Sequence, residues 1–195
     1  MPNWCFTSYV LEGSDKEIEK IDIFLDKLTS RNKPAIENSF GTNWLGCLVN
    51  ALGGDWQKIP CRGTWSDKER TGNILRLTTE TAWSPMNEVF NLIREKYPSV
   101  RYFYAAEEPG DGLYSTNDVD GKYFPERYHI DLCDLEVNYD SEYFTTADAV
   151  LDYINENYHP ATPLKTLEDI DKLDNEWREN SDDAYINYHI VQVCA

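Results

Sequence analysis

Over residues 4–106 the hydrophobic pattern changes period in a set order, and that order limits the fold more than any single motif. Trp4 to Glu12 reads as a strand, with Phe6, Tyr9, Val10 and Leu11 in imperfect alternation and Gly13 at its end. Ser14-Asp15-Lys16-Glu17 has the form of a capping box, in which a hydroxyl and a carboxylate each satisfy a backbone donor at a helix start. The helix it opens carries Ile18, Ile21, Phe24, Leu25 and Leu28 on one face and stops at Asn32-Lys33-Pro34. Trp44, Leu45, Leu48 and Leu52 mark a short inserted helix closed by Gly53-Gly54. Arg62 to Trp65 and Asn73 to Trp83 read as two strands of a hairpin, joined by the polar stretch Ser66 to Gly72.

Ser84 then caps a helix with Pro85 at its first position, where no N–H is needed. Met86, Val89, Phe90, Ile93 and Tyr97 form its apolar face, and Pro98 ends it. Val100 to Ala106 is a further strand, with Tyr102 and Tyr104 on one face and Phe103 and Ala105 on the other. Strand, helix, strand, strand, helix, strand is the order of a split βαβ, or ferredoxin-like, core: an antiparallel sheet with two helices on one face. Right-handed crossovers complete the arrangement. The expectation is therefore an α+β protein, with residues 1–108 as the ferredoxin-like core (βαββαβ).

Residues 109–195 read as an acidic extension of hairpins, two helices and a final strand, packed on the core as one globular unit. Asp120-Gly121 is a strong hairpin turn, flanked by strands over Leu113 to Thr116 and Lys122 to Leu132, with Leu135 to Tyr139 pairing next. Thr146 starts a helix with Val150, Leu151, Ile154 and Tyr158 inward, ended by His159-Pro160. Thr166 caps another, with Leu167, Ile170, Leu173 and Trp177 inward. Tyr185 to Cys194 is the last strand.

Charge divides the chain unevenly. Residues 1–100 carry 12 Lys+Arg and 13 Asp+Glu, whereas residues 101–195 carry 6 and 22, which places 16 of the 17 surplus negative charges in the second half. Such a field repels phosphate backbones and acidic lipid and attracts basic protein surfaces. It argues against direct nucleic-acid binding, even though Tyr102, Phe103 and Tyr104 have the composition of a base-stacking sheet face. An aromatic content of 13% excludes a disordered acidic tail. No stretch approaches the roughly 20 apolar residues of a membrane span. The opening residues have neither the basic nor the apolar region of a secretory signal. Five scattered cysteines, Cys5, Cys47, Cys61, Cys133 and Cys194, with no C-x-x-C, read as reduced, mostly buried thiols of a cytoplasmic protein.

Several chemical constellations can be tested against their geometry. On a strand, His129, Asp131 and Cys133 share one face. A thiol nucleophile needs the imidazole between thiol and carboxylate, but Asp131 stands in the middle, and His129 and Cys133 are about 13 Å apart at roughly 3.3 Å per residue. Thr116-Asn117-Asp118-Val119-Asp120-Gly121 resembles half a calcium loop, yet Arg127 falls where the bidentate glutamate belongs, and strands rather than helices flank it. The three histidines lack zinc-site spacing, and no phosphate-binding glycine loop is present. Paired carboxylates such as Glu107-Glu108 and Asp182-Asp183 read as solvated surface. No catalytic residue, metal or cofactor is expected.

Two blocks carry a resemblance. The opening Met1-Pro2-Asn3-Trp4-Cys5, and then Thr81-Ala82-Trp83-Ser84-Pro85, Tyr97-Pro98 and Glu107-Glu108-Pro109-Gly110, resemble in that order the YubB-like ferredoxin-fold family carried on plasmids, phages and conjugative elements. The likeness covers about the first 115 residues. It implies the same core fold and an origin in a bacterial mobile element. That family has no agreed activity, so it implies no catalytic residues. Structurally, Trp4 is expected to anchor its strand in the core, Trp83 to staple the following helix, and Pro109-Gly110 to reverse the chain.

Together these features lead to an interaction protein without catalysis, docking through its carboxylates on a basic protein surface. One concrete form of this is imitation of DNA phosphates; the rival reading of the same charge is that it only keeps an aromatic-rich protein soluble. The alternative is a small-ligand binder or enzyme with a site between the sheet and the 109–134 extension. The candidate contact residues are Tyr104, Glu107, Glu108, His129 and Asp131.

Overall fold

The computed structural model describes residues 3–194; Met1 and Pro2 of the opening motif lie outside them. The chain is α+β and divides into two compact units. One comprises the chain up to Val119 together with Cys194, and the other runs from Asp120 to Val193. The sequence-based boundary at residue 108 falls early, because the strand after it completes the first unit.

In the first unit the elements are β1 (Trp4–Glu12), α1 (Asp15–Thr29), α2 (Leu45–Leu52), β2 (Gly63–Thr71), β3 (Ile74–Ala82), α3 (Asn87–Lys96), β4 (Arg101–Glu108) and β5 (Leu113–Thr116). The strands lie in the order β2-β3-β1-β4-β5, and the β2–β3, β3–β1, β1–β4 and β4–β5 pairs are all antiparallel. Alternation sends Cys5, Tyr9 and Leu11 of β1, Leu75 and Leu77 of β3, and Tyr104 and Ala106 of β4 into one core. The helices close it with Ile18, Ile21, Leu25 and Leu28 of α1 and Val89, Phe90 and Ile93 of α3. Each of those α1 side chains contributes about 1.5–3 kcal/mol by leaving water. Tyr9 stacks on Phe90 at 3.5 Å between ring centroids and donates its hydroxyl to Asn87 Oδ1 at 2.9 Å.

The start of α1 departs instructively from a simple capping box. Ser14 Oγ accepts from the Glu17 N–H at 3.4 Å, as expected. Glu17 does not reach back to Ser14. Its carboxylate accepts from the N–H and Oγ of Ser99, at 3.0 and 2.5 Å, and Ser99 Oγ in turn accepts from the Ser14 N–H at 3.0 Å. The second half of the box thus runs through a residue 85 positions away and ties the helix start to the entry of β4.

Other expectations are corrected. Ser66 to Thr71 is not a connection: β2 continues through it with a bulge between Ser66 and Glu69, and the turn is Gly72-Asn73. The polar composition reflects the partner, since Lys68 pairs with Asp22 and Asp26, and Arg70 with Glu19, on α1. α3 begins at Asn87 rather than after Ser84. Ser84 instead accepts the Thr81 hydroxyl on its carbonyl at 2.8 Å. Trp83 is no staple; it is half exposed, with φ at +72°. Asp120-Gly121 forms no hairpin: β5 ends at Thr116, the next strand starts only at Tyr128, and the two belong to different sheets.

The second unit holds β6 (Tyr128–Cys133), β7 (Tyr139–Phe144), α4 (Ala147–Tyr158), α5 (Glu168–Asn180) and β8 (Tyr185–Ile190). Its sheet has the order β7-β6-β8, antiparallel throughout. Ile130 and Leu132 of β6 and Ile186 of β8 face a core closed by Val150, Leu151 and Ile154 of α4 and by Ile170, Leu173 and Trp177 of α5. Thr146 caps α4 by accepting from the Ala149 N–H at 3.2 Å, and His159 ends it in the left-handed region. Leu135 to Val137, expected in a strand, forms an exposed turn, and β7 starts only at Tyr139. Asp134 organises that turn, its Oδ1 accepting from the N–H groups of Glu136 and Asn138 at 2.8 and 2.9 Å. α5 starts at Glu168, after Leu167, without a side-chain cap, so Thr166 does not cap it; Asp169 Oδ2 instead reaches back to the N–H groups of Lys165 and Thr166 ahead of the helix.

Candidate functional site

The five sequence-derived candidates separate into two groups. Tyr104, Glu107 and Glu108 lie on β4 in the first unit. Tyr104 is 4% exposed and packs at 6.0 Å from the Tyr9 ring, and burial pushes its phenol above the ordinary value. Tyr102 turns to the same core, so β4 does not offer both tyrosines to a base. Glu108 is 2% exposed and caps the turn after β4, accepting from the N–H groups of Gly110 and Asp111 at 2.9 and 2.8 Å. Both residues therefore serve the fold. Glu107 is partly exposed on β4, opposite Phe6. The half calcium loop is likewise structural at its start. The Thr116 hydroxyl donates to the Tyr104 carbonyl at 2.6 Å and accepts from the Asp118 N–H at 3.0 Å.

His129 and Asp131 stand together on β6, and the register adds a residue that local spacing rules could not reveal. β8 sets His189 opposite His129 and Asn187 opposite Asp131. β7 sets Tyr143 opposite His129 and Ser141 opposite Asp131. His189 Nε2 lies 2.9 Å from Asp131 Oδ1, and Asn187 Nδ2 donates to Asp131 Oδ2 at 3.2 Å. His129 Nε2 is 2.9 Å from Ser141 Oγ, and its ring lies 4.4 Å from that of Tyr143 and 5.7 Å from that of His189. His129 is buried, whereas the Asp131 and His189 side chains are 30% and 26% exposed. Among the described residues, His129, Asp131 and His189 are the group whose imidazole and carboxylate atoms come within a metal ion's reach of one another. Cys133 continues the same strand face but is fully buried.

The acidic surface takes shape on the helices of the same unit. Asp148, Asp152 and Glu156 recur every four residues on α4, and all three are exposed while Val150, Leu151 and Ile154 face inward. On an α-helix that spacing sets one carboxylate above the next at about 6 Å intervals. α4 contains no Lys or Arg. α5 adds exposed Glu168, Asp171, Glu176 and Glu179, although Asp169 and Asp174 are paired with Lys172 and Arg178 at 2.6 and 2.8 Å. Residues 120–193 hold 18 Asp+Glu against 5 Lys+Arg, and 12 of those carboxylates are exposed.

A second polar cluster has a structural role. Asp140 Oδ2 on β7 accepts the hydroxyls of Tyr153 and Tyr158 from α4, the latter at 2.6 Å. Burial opposes ionisation of Asp140, but these hydroxyls and the Ser141 N–H outweigh it and hold the carboxyl below its ordinary range. The Tyr153 phenol is pushed up to about 12, chiefly by its bond to Asp140. Burial and the same carboxylate raise Tyr158 as well.

In the first unit, Phe40, Trp44, Trp56, Ile59 and Arg62 line an open groove of about 590 Å³. Four of the five cysteines are buried and Cys194 is partly so, and none of the five is in a disulfide. No helix is long and apolar enough to cross a membrane among the described residues. Comparison with protein-family models, curated proteins and solved structures returns no match.

Proposed function

We propose that this protein acts without catalysis, by docking its acidic second unit on a basic protein surface of the kind that otherwise receives nucleic-acid phosphates. The observation that carries this reading is the α4 stripe of Asp148, Asp152 and Glu156, exposed, evenly spaced and without a cation on its own helix. DNA carries one phosphate per roughly 3.4 Å of axis on each strand, so carboxylates at about 6 Å repeat the charge of roughly every second phosphate. A partner shaped for a phosphate row meets a matching row of anions. Long-range attraction then speeds encounter and makes it salt-dependent.

The first unit is, on this reading, a ferredoxin-like core. The antiparallel order β2-β3-β1-β4, with α1 between β1 and β2 and α3 between β3 and β4, supports it. Asn3-Trp4-Cys5, Trp83-Ser84-Pro85 and Glu108-Pro109-Gly110 support placement among the YubB-like proteins of mobile elements. Five cysteines without a disulfide favour a reducing, cytoplasmic setting.

The test immobilises the full chain and its Asp148→Asn/Asp152→Asn/Glu156→Gln variant, and passes bacterial extract over both. A basic protein that binds wild type at low salt, elutes as salt rises, is displaced by duplex DNA and is lost on the variant is the expected result. Equal recovery by both chains, or recovery indifferent to salt, overturns the reading.

A further inference from the structure

The three-stranded sheet of the second unit brings together two imidazoles and a carboxylate, and the backbone explains why. Residues two apart on a strand share a face, which aligns His129 with Asp131 on β6. Antiparallel neighbours bring directly opposed side chains to about 5 Å between Cβ atoms, which delivers His189 of β8 to the same face. The register is pinned from behind, because Ile130 and Leu132 of the same strand are buried against α4 and α5. A slip of one residue would exchange the faces and scatter all three groups.

We propose that His129, Asp131 and His189 form a binding site for one late first-row divalent cation, of which zinc is the representative. One ligand atom from each residue lies within 4.8 Å of the others. Zinc bonds of about 2.0–2.2 Å in a tetrahedron set donors roughly 3.3 Å apart. Asp131 Oδ1 and His189 Nε2, 2.9 Å apart, are already near that spacing. Bringing in the remaining donor takes roughly 1.5 Å of side-chain movement, which two partly exposed ligands permit. Two nitrogens and one oxygen suit zinc, nickel or copper and do not suit calcium or magnesium, which take oxygen donors.

The surrounding groups fit ligand support. Asn187 holds Asp131 Oδ2 and leaves Oδ1 directed at the histidine, and Ser141 orients the His129 ring. Three protein ligands leave a fourth position for water, reached from the exposed side of Asp131 and His189. The net negative charge of the unit raises the local cation concentration. The site is independent of the docking stripe on α4, so either can fail without the other.

The test titrates the full metal-free chain with zinc chloride by calorimetry and with cobalt(II), whose visible absorption reports tetrahedral coordination. Four variants accompany wild type: His189→Ala, Asp131→Asn, His159→Asn as a control for surface histidine, and the α4 triple variant as a control for surface carboxylate. Urea unfolding without metal checks that His189→Ala and Asp131→Asn remain folded. The expected result is one equivalent bound, weakened at least about tenfold by His189→Ala and by Asp131→Asn and unchanged in both controls. No binding, binding that His189→Ala leaves intact, or binding lost equally in the His159→Asn or α4 variant overturns the proposal.

Discussion

Replacing Tyr158 or Tyr153 by Phe isolates what the Asp140 cluster contributes. Each change removes one hydroxyl while its ring keeps its neighbour: Tyr158 lies 5.8 Å from Trp177, and Tyr153 lies 5.2 Å from Phe144, between ring centroids. A hydrogen bond to an ionised acceptor contributes about 1.5–3 kcal/mol. Asp140 and both tyrosines are partly exposed, so competition from water takes the contribution just below that range, to about 1 kcal/mol for each hydroxyl. For a cooperative unit of this size that lowers Tm by about 4–8 °C. The pH dependence separates this cause from general loosening. The Tyr153 phenol titrates higher in the folded state, at about 12 against an ordinary 10.0, so its contribution is complete below pH 10 and is lost as pH rises toward 12. Asp140 is shifted the other way, below its ordinary 3.8. Its contribution is present above that value and is lost as pH falls through the folded-state value. Urea unfolding followed by circular dichroism, on wild type, Tyr153→Phe and Asp140→Asn, reads both windows. The gap between wild type and Tyr153→Phe should close between pH 10 and 12, and the gap to Asp140→Asn should close below about pH 4. Parallel curves across those windows, or an Asp140→Asn protein as stable as wild type at pH 7, would refute the assignment.

Two further substitutions test local packing and backbone conformation. Gly46→Ala drives a methyl group into the Trp44 ring, which is wedged between Phe40 and Trp56. Overpacking of about 1–3 kcal/mol exceeds the helix-propensity gain of about 1 kcal/mol, so the urea midpoint should fall; a rise would show that the ring moves freely. Val137, exposed and β-branched, is held at φ +65°. Val137→Asn should add about 1 kcal/mol of stability by relieving strain, read as a higher urea midpoint, and an unchanged midpoint would mean that the turn relaxes elsewhere.

Much of the fold was legible because it is written in short-range chemistry. The bounds of β1, the buried faces of α1, α3 and α4, the insertion of α2 and the Thr146 cap follow from periodicity and capping, which depend on residues at most a few positions apart. Expectations failed where a distant partner decided. Ser66 to Thr71 is polar and yet a strand because α1 supplies the charges it meets. Glu17 leaves its own cap for Ser99. Asp120-Gly121 has the composition of a hairpin turn, but the strands before and after it, β5 and β6, join different sheets.

The candidate metal site shows the same division most sharply. Alternation alone put His129, Asp131 and Cys133 on one face of one strand, and nothing in that local spacing pointed to His189. His189 lies 60 positions further along the chain, and only the pairing of β8 with β6 sets it opposite His129. The amino-acid order determined which faces are apolar, where helices start and where negative charge accumulates, because those properties belong to neighbouring residues. Which polar groups meet was decided by strand register in the folded sheet, because hydrogen bonding between strands joins residues that the covalent chain keeps apart.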